Sequence, residues 1–180
     1  KSRQKNSLIK QNKTSVSQKS PITGKKTMLR GIAVIIAVIG ILYVNTIDNE
    51  FVYDDTAVVV ENRFIRDLGN IKDLFSPAYF ARSGVGQMTN SGEGSWRPLV
   101  TLSYFTDYAL FGDDPRGYHA TNILCHMAAV ILWWVFLSRT LANKKLAFVA
   151  ALLTAAHPVM TEAVNAVAFR EDILAACFFI

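Results

Sequence analysis

Cysteine is nearly absent. The two present, Cys125 and Cys177, both sit in apolar runs, so the chain is not a disulfide scaffold. Charge is scarce: Asp, Glu, Lys and Arg make up 18% of the 180 residues, against about 25% in ordinary soluble domains. Acidic residues are missing from the first 47 positions. Also missing are a glycine-rich phosphate loop, a zinc-ligand spacing and a nucleophile elbow. No internal repeat is visible. What is abundant is apolar: 51% of the chain is hydrophobic, too much to leave solvated in a disordered protein.

The net charge of +5 has one source. Residues 1–30 hold nine Lys or Arg, no acid and no aromatic. A nucleic-acid groove interleaves aromatics with its basic residues, so nucleic acid is not an expected partner. Residues 1–27 read as a basic, disordered cytoplasmic tail.

The apolar runs have membrane dimensions. Gly31 to Ile47 carries no charge, and residues 28–47 are long enough to cross a bilayer, which takes about 17–25 residues. The sequence after it, Asn45-Thr46-Ile47-Asp48, is a poor cleavage site, so this is an uncleaved anchor rather than a signal peptide. A second span is expected over residues 118–137. Lys/Arg bias places the tail and the segment 138–145, with Arg139, Lys144 and Lys145, on the inner side. The net-acidic segment 48–117 then lies outside. A third run, Leu146 to Ala156, would make a helix of only about 17 Å before His157-Pro158, where it either kinks or breaks. Residues 146–172 are read as this third helix plus an outer-face segment, and 173–180 as the start of a further span. The expected fold is all-α: a multi-pass transmembrane helical bundle with a long extracytoplasmic loop. The chain begins at Lys1 and stops within the apolar Phe178-Phe179-Ile180, and is expected to be a piece of a longer protein.

The outer segment is too long for a plain connector. It opens on an acidic pair, Asp54-Asp55, in Phe51-Val52-Tyr53-Asp54-Asp55. Residues 83–95 are rich in Gly and Ser and read as mobile. Trp96-Arg97-Pro98-Leu99 then opens an amphipathic helix over 98–111, with Pro98 at its first position and Gly112 able to end it. Leu99, Leu102, Phe105 and Ala109 share one face, which can lie along a membrane surface. Asp113-Asp114-Pro115 reads as a turn.

Polar residues in spans are costly and often functional. His119, Asn122 and His126 fall on one face of the second span. They line a cavity open to the outside or hold helices together by hydrogen bonds; the spacing allows both. Two histidines without a third ligand are not a metal site. In the third segment stand His157, Glu162, Arg170, Glu171 and Asp172. Arg170 and its acids lie in an apolar stretch, where charges should be paired or bind something; an arginine fork suits a phosphate. A carboxylate at Asp54 or Asp55 can take the proton of a hydroxyl acceptor. By composition alone the pair could equally be solvated acids in a turn.

Four pieces in order carry a family resemblance. They are Phe51-Val52-Tyr53-Asp54-Asp55, Ser95-Trp96-Arg97-Pro98-Leu99, Gly117-Tyr118-His119 with Asn122 and His126, and the run from His157-Pro158-Val159 through Thr161-Glu162-Ala163-Val164 to Arg170-Glu171-Asp172-Ile173-Leu174. Together they resemble the transmembrane and tetratricopeptide-repeat O-mannosyltransferases and their bacterial relatives, which are C-type glycosyltransferases. The family pattern has a second histidine where Met160 stands, Gly-Arg-Ala-Asp where Phe169-Arg170-Glu171-Asp172 stands, and a common tyrosine where Trp96 stands.

The resemblance implies an integral membrane enzyme that moves a sugar, mannose by family, from a polyprenyl- or dolichyl-phosphate carrier to Ser/Thr hydroxyls of an acceptor protein. It implies Asp54 or Asp55 as general base, Arg97 and Arg170 toward the carrier phosphate, and His119, His157, Glu162 and Asp172 shaping the site. The donor is a lipid-linked sugar, no cofactor is implied, and a divalent metal is left open. Membrane lipids are partners, in the endoplasmic reticulum or a bacterial inner membrane. Two other readings stand beside this one. One is a non-catalytic anchor for a tetratricopeptide-repeat scaffold. The other is a transporter using the polar stripe, which the purely apolar run from Ala128 to Leu137 disfavours.

Overall fold

A computed structural model describes residues 21–77, 79 and 96–180. The glycine- and serine-rich stretch and most of the basic tail lie outside the described residues. Two compact units divide the chain, Lys1–Gly31 and Ile32–Ile180. The described part of the first is the opening of helix α1.

All regular structure among the described residues is helical. Helix α1 runs Pro21–Tyr43 and continues as a 3-10 turn, Val44–Asp48. Then come a π-helical turn Thr56–Val60 and 3-10 turns Arg63–Arg66 and Leu68–Asp73. Helix α2 spans Pro98–Phe111, α3 Pro115–Thr140, α4 Lys144–Ala155, α5 Met160–Asn165 and α6 Arg170–Phe179.

The helix ends follow from local chemistry. Helices α2 and α3 both open on proline, whose missing N–H costs nothing at a first helical position. Asp114 caps α3 by accepting from Arg116 N at 3.1 Å. Asn143 caps α4 by accepting from the amides of Lys145 and Leu146. Gly112 ends α2 at φ 62°, backbone that favours glycine. At Gly117 the ring of Phe111 folds against the backbone so closely that a Cβ would meet Phe111 Cγ at 2.1 Å. This close approach draws the corner between α2 and α3 tight.

Among the described residues, two segments are long and apolar enough to cross a membrane, Gly24–Asp48 and Pro115–Thr140. Their outward faces carry exposed Val34, Ile36, Ile41, Leu124, Leu132 and Phe136. Helix α4 has 12 residues. The chain breaks after it at His157-Pro158 instead of bending through, because Pro158 offers no amide to continue the ladder.

Two separate cores form. One joins Ile35, Ile39 and Tyr43 of α1 to Ile123 and Val130 of α3, Ala151 and Ala155 of α4, Val164 of α5 and Ile173 of α6. The small alanines of α4 let its backbone approach α3 closely. The second core lies wholly in residues 59–118 apart from Val167, and includes Phe64, Ile65, Leu74, Tyr104, Phe105 and Tyr118. The segment expected as an outer loop is thus a folded lobe. Buried Asn62 and Asn70 staple its turns: Asn62 accepts from Phe64 N and donates to Val58 O, and Asn70 donates to Phe64 O.

The face of α2 differs from expectation. Leu99 is 48% exposed, while Val100, Thr101, Tyr104, Phe105 and Asp107 are buried. The inward face is partly polar because buried partners satisfy it, as described next.

Candidate functional site

Residues 166–171, the short link after α5 together with the first two residues of α6, are where the motifs converge. The acidic turn reaches it first. Asp55 is fully buried. Its Oδ1 accepts from Ala168 N at 2.7 Å and its Oδ2 from Val52 N at 3.3 Å. The turn is packed from below by Phe51, edge-on to Tyr118 at 5.3 Å. Asp54, next door, is only half-buried and has no hydrogen bond or ion pair among the described residues. Between them and Val52, Tyr53 takes the left-handed φ of 48° with its side chain 93% exposed. Two acids that look equivalent in sequence are therefore different: Asp55 is a tether and Asp54 is an open carboxylate.

Arg170 is the hub beneath. It is fully buried, and every face of its fork is taken. Nε donates to Asn122 Oδ1 at 2.6 Å, Nη1 to Ser103 Oγ at 2.9 Å and Nη2 to Tyr118 O at 3.0 Å. Asp107 Oδ2 lies 2.6 Å from Nη1 as an ion pair, and the guanidinium stacks over the Tyr104 ring at 4.9 Å. The fork expected to meet a phosphate is turned inward. An arginine this deep needs a counter-charge, and α2 supplies it. Asn122 extends the lattice, donating to Ala166 O at 2.9 Å and Val164 O at 3.3 Å. Tyr104 adds a bond to Val167 O.

Arg97 is the arginine that does face outward. Its side chain is 41% exposed. It pairs with Glu171, in the first turn of α6.

The rest of the expected set is scattered. His119 is fully buried, with neither ring nitrogen hydrogen-bonded. His126 Nε2 faces Ala155 O at 3.4 Å. Within the polar stripe of α3, Asn122 and His126 bond across to neighbouring segments, while His119 is sealed without a hydrogen bond; His119 and Asn122 do not line an open cavity, whereas His126 borders the groove between α3, α5 and α6. His157 is exposed and accepts from Val159 N. Glu162 and Asp172 are exposed and line a groove of about 580 Å3 between α3, α5 and α6, walled by Trp133, Met160, Phe169 and Ile173. No hydrogen bond or ion pair joins His157, Glu162 or Asp172 to the acidic turn among the described residues. No cluster of three potential metal ligands occurs among those residues either.

Asp107 was not picked out by spacing. Its signal was its isolation, as the single charged residue of α2. Burial pushes its carboxyl above the ordinary carboxylate range, against the pull of Arg170. Burial does the same to Glu171 against Arg97. A carboxyl raised by folding binds its proton in the folded state first. Stability from these groups therefore rises as pH falls through the raised range, and stops changing below the unfolded value of about 4. Asp107→Asn should flatten part of the wild-type gain in unfolding temperature as pH falls from neutral toward about 4. An unchanged profile would take Asp107 out of that account.

This is a helical protein with membrane-length helices, a folded lobe, an open carboxylate at Asp54 and a semi-exposed arginine at position 97. Known proteins share its sequence over most of its length. Over 151 residues the chain is 36% identical to protein O-mannosyl-transferase Tmtc1 of Drosophila melanogaster, covering 83% of this chain and 17% of that protein. It is 34% identical over 140 residues to protein O-mannosyl-transferase TMTC1 of Homo sapiens, covering 77% and 16%. It is 28% identical over 158 residues to protein O-mannosyl-transferase F38B6.6 of Caenorhabditis elegans, covering 86% and 22%. The chain is homologous to this family of protein O-mannosyl-transferases, as its motifs implied, and spans about a fifth or less of the length of these relatives. No family model matches it, and no solved structure does.

Proposed function

We propose that the chain is the acid-bearing part of a multi-pass membrane glycosyltransferase that moves a sugar, mannose by kinship, from a polyprenyl-phosphate carrier to Ser or Thr hydroxyls of an acceptor protein. The observation that carries this is the open Asp54, next to a strained residue and one position from a fully tethered acid. The N-terminal side would face the cytoplasm, and the lobe and its acidic turn the opposite side, in an endoplasmic reticulum or bacterial inner membrane.

The chemistry is an inverting single displacement. The acceptor oxygen bonds to the sugar's C1 as the bond from C1 to the phosphate oxygen breaks. The hydroxyl proton passes to Asp54, and the carrier leaves as a phosphate monoester. Asp54 is the general base. Arg97, part-exposed and held only through Nη1 by Glu171, is the side chain placed to meet the phosphate with its remaining donors. Arg170 acts one layer down, holding α2, α3 and the 166–171 link in register. The apolar groove beside Trp133 and Ile173 suits an isoprenoid chain, with Glu162 and Asp172 at its edges and His157 near the break after α4.

The test is sugar transfer by the full-length protein in membranes, given a labelled polyprenyl-phosphate mannose and a Ser/Thr-rich acceptor. Transfer that needs both the carrier phosphate and Asp54 supports the reading. No transfer from any carrier tried would leave a membrane anchor in its place. The interhelical bonds of Asn122 are what that second reading has in its favour.

A further inference from the structure

The Arg97–Glu171 pair is a one-point contact. A single nitrogen, Nη1, meets a single oxygen, Oε2. Among the described residues Glu171 is the partner of this guanidinium, and most of the fork's donors stay unused. Both side chains reach solvent, Arg97 at 41% and Glu171 at 22%. Arg170, one residue before Glu171, is by contrast saturated and sealed. The two arginines thus divide the work: one is locked into the fold and the other is held by an exchangeable carboxylate. Glu171 gains little by staying ionised there, since burial raises its carboxyl despite Arg97. A phosphate can engage the fork with two oxygens where Glu171 offers one.

We propose that Glu171 is an intramolecular competitor for the Arg97 fork, displaced by a lipid phosphate on entry and returning to Arg97 to expel the spent carrier. This rests on the phosphate role proposed above for Arg97. Glu171 sits on the link that also holds Asp55 through Ala168 N, so it competes beside the acidic turn and not at a remote surface. Its effect is largest on the product. A sugar-bearing carrier phosphate is a diester with one negative charge, whereas the spent carrier is a monoester approaching two. The monoester would hold a bare Arg97 more tightly. Glu171 counters that hold, making it a specificity and release residue, not one that touches the reacting atoms.

The experiment measures binding of polyprenyl phosphate to the purified full-length protein in detergent. Polyprenol and inorganic phosphate are the comparison probes, and product inhibition of transfer is followed in parallel. Glu171→Gln is expected to bind polyprenyl phosphate roughly three- to fivefold more tightly, the scale of a partly exposed ion pair. Product inhibition should strengthen by the same factor, with polyprenol binding unchanged. Adding Arg97→Ala should abolish the gain. A merely structural Glu171 would weaken binding of all three probes or none. If Arg97→Ala weakens polyprenyl phosphate binding but Glu171→Gln does not tighten it, the competitor role is overturned and the phosphate role of Arg97 stands. If Arg97→Ala leaves that binding intact, both fall. Equal tightening toward inorganic phosphate would overturn the assignment to a lipid phosphate.

Discussion

Asp54→Asn in the full-length protein is expected to lose sugar transfer by about 100-fold or more while folding as wild type does. Asp54 has no bond to lose among the described residues, so its replacement by an amide of the same shape leaves the lobe intact. Asp55→Asn should behave in the opposite order. Both of its oxygens accept backbone amides, from Ala168 and Val52. An amide in their place turns one NH2 against an N–H and leaves a buried donor unpaired, at about 1–3 kcal/mol. Its unfolding temperature falls first, and activity per folded molecule falls only as the turn loosens. The two measurements together, transfer and thermal unfolding in detergent, separate base from tether. A well-folded but inactive Asp55→Asn beside an active Asp54→Asn would exchange their roles.

Arg170→Met is the substitution expected to damage the fold most. It leaves Asp107 as a buried charge without its counter-ion, and removes the donors that meet Asn122 Oδ1, Ser103 Oγ and Tyr118 O. Orphaning one member of a buried pair costs about 3–5 kcal/mol, enough to empty the folded state of many proteins. Arg170→Lys should rescue little. An ammonium cannot span that spread of acceptors, nor lie flat over Tyr104. Arg170→Met combined with Asp107→Leu should recover part of the loss, because neither charge is then stranded. Strict additivity in the yield of folded protein would mean the two side chains are not coupled.

How far these features were legible depended on their range. The bounds of α2 were readable because Pro98 and Gly112 mark its ends by local chemistry. Its buried face was not, because Asp107 and Ser103 turn inward toward an arginine that is far along the chain. The shortness of α4 was readable as well: the apolar run Leu146 to Ala156 before His157-Pro158 sets its scale, and the helix itself starts two residues earlier and ends one earlier, at Lys144–Ala155, though only the packing decides for a break over a kink. The lobe was invisible as a fold. Its turns of four to six residues leave no periodicity, and their order comes from Asn62, Asp67 and Asn70 bonding to nearby backbone. The acidic pair was found as a pair, but only the amide of Ala168, arriving from the 166–171 link, tells the two acids apart. Arg170 was expected to be paired or to bind a ligand, and burial resolves that choice.

The left-handed backbone of Tyr53 bears on rate under the base role proposed for Asp54. A non-glycine residue held there costs about 1–2 kcal/mol, yet its ring stands in solvent and gains no packing in return. The conformation persists because both flanks are fixed, by Asp55 to Ala168 and Val52 and by Phe51 against Tyr118. Strain of this kind is met once, at folding. Asp54 is left on a preorganised arm whose orientation is chosen before any hydroxyl arrives. Under the base role proposed for Asp54, the entropy of aligning that carboxylate is absent from the activation barrier, which is lower by that amount at every turnover.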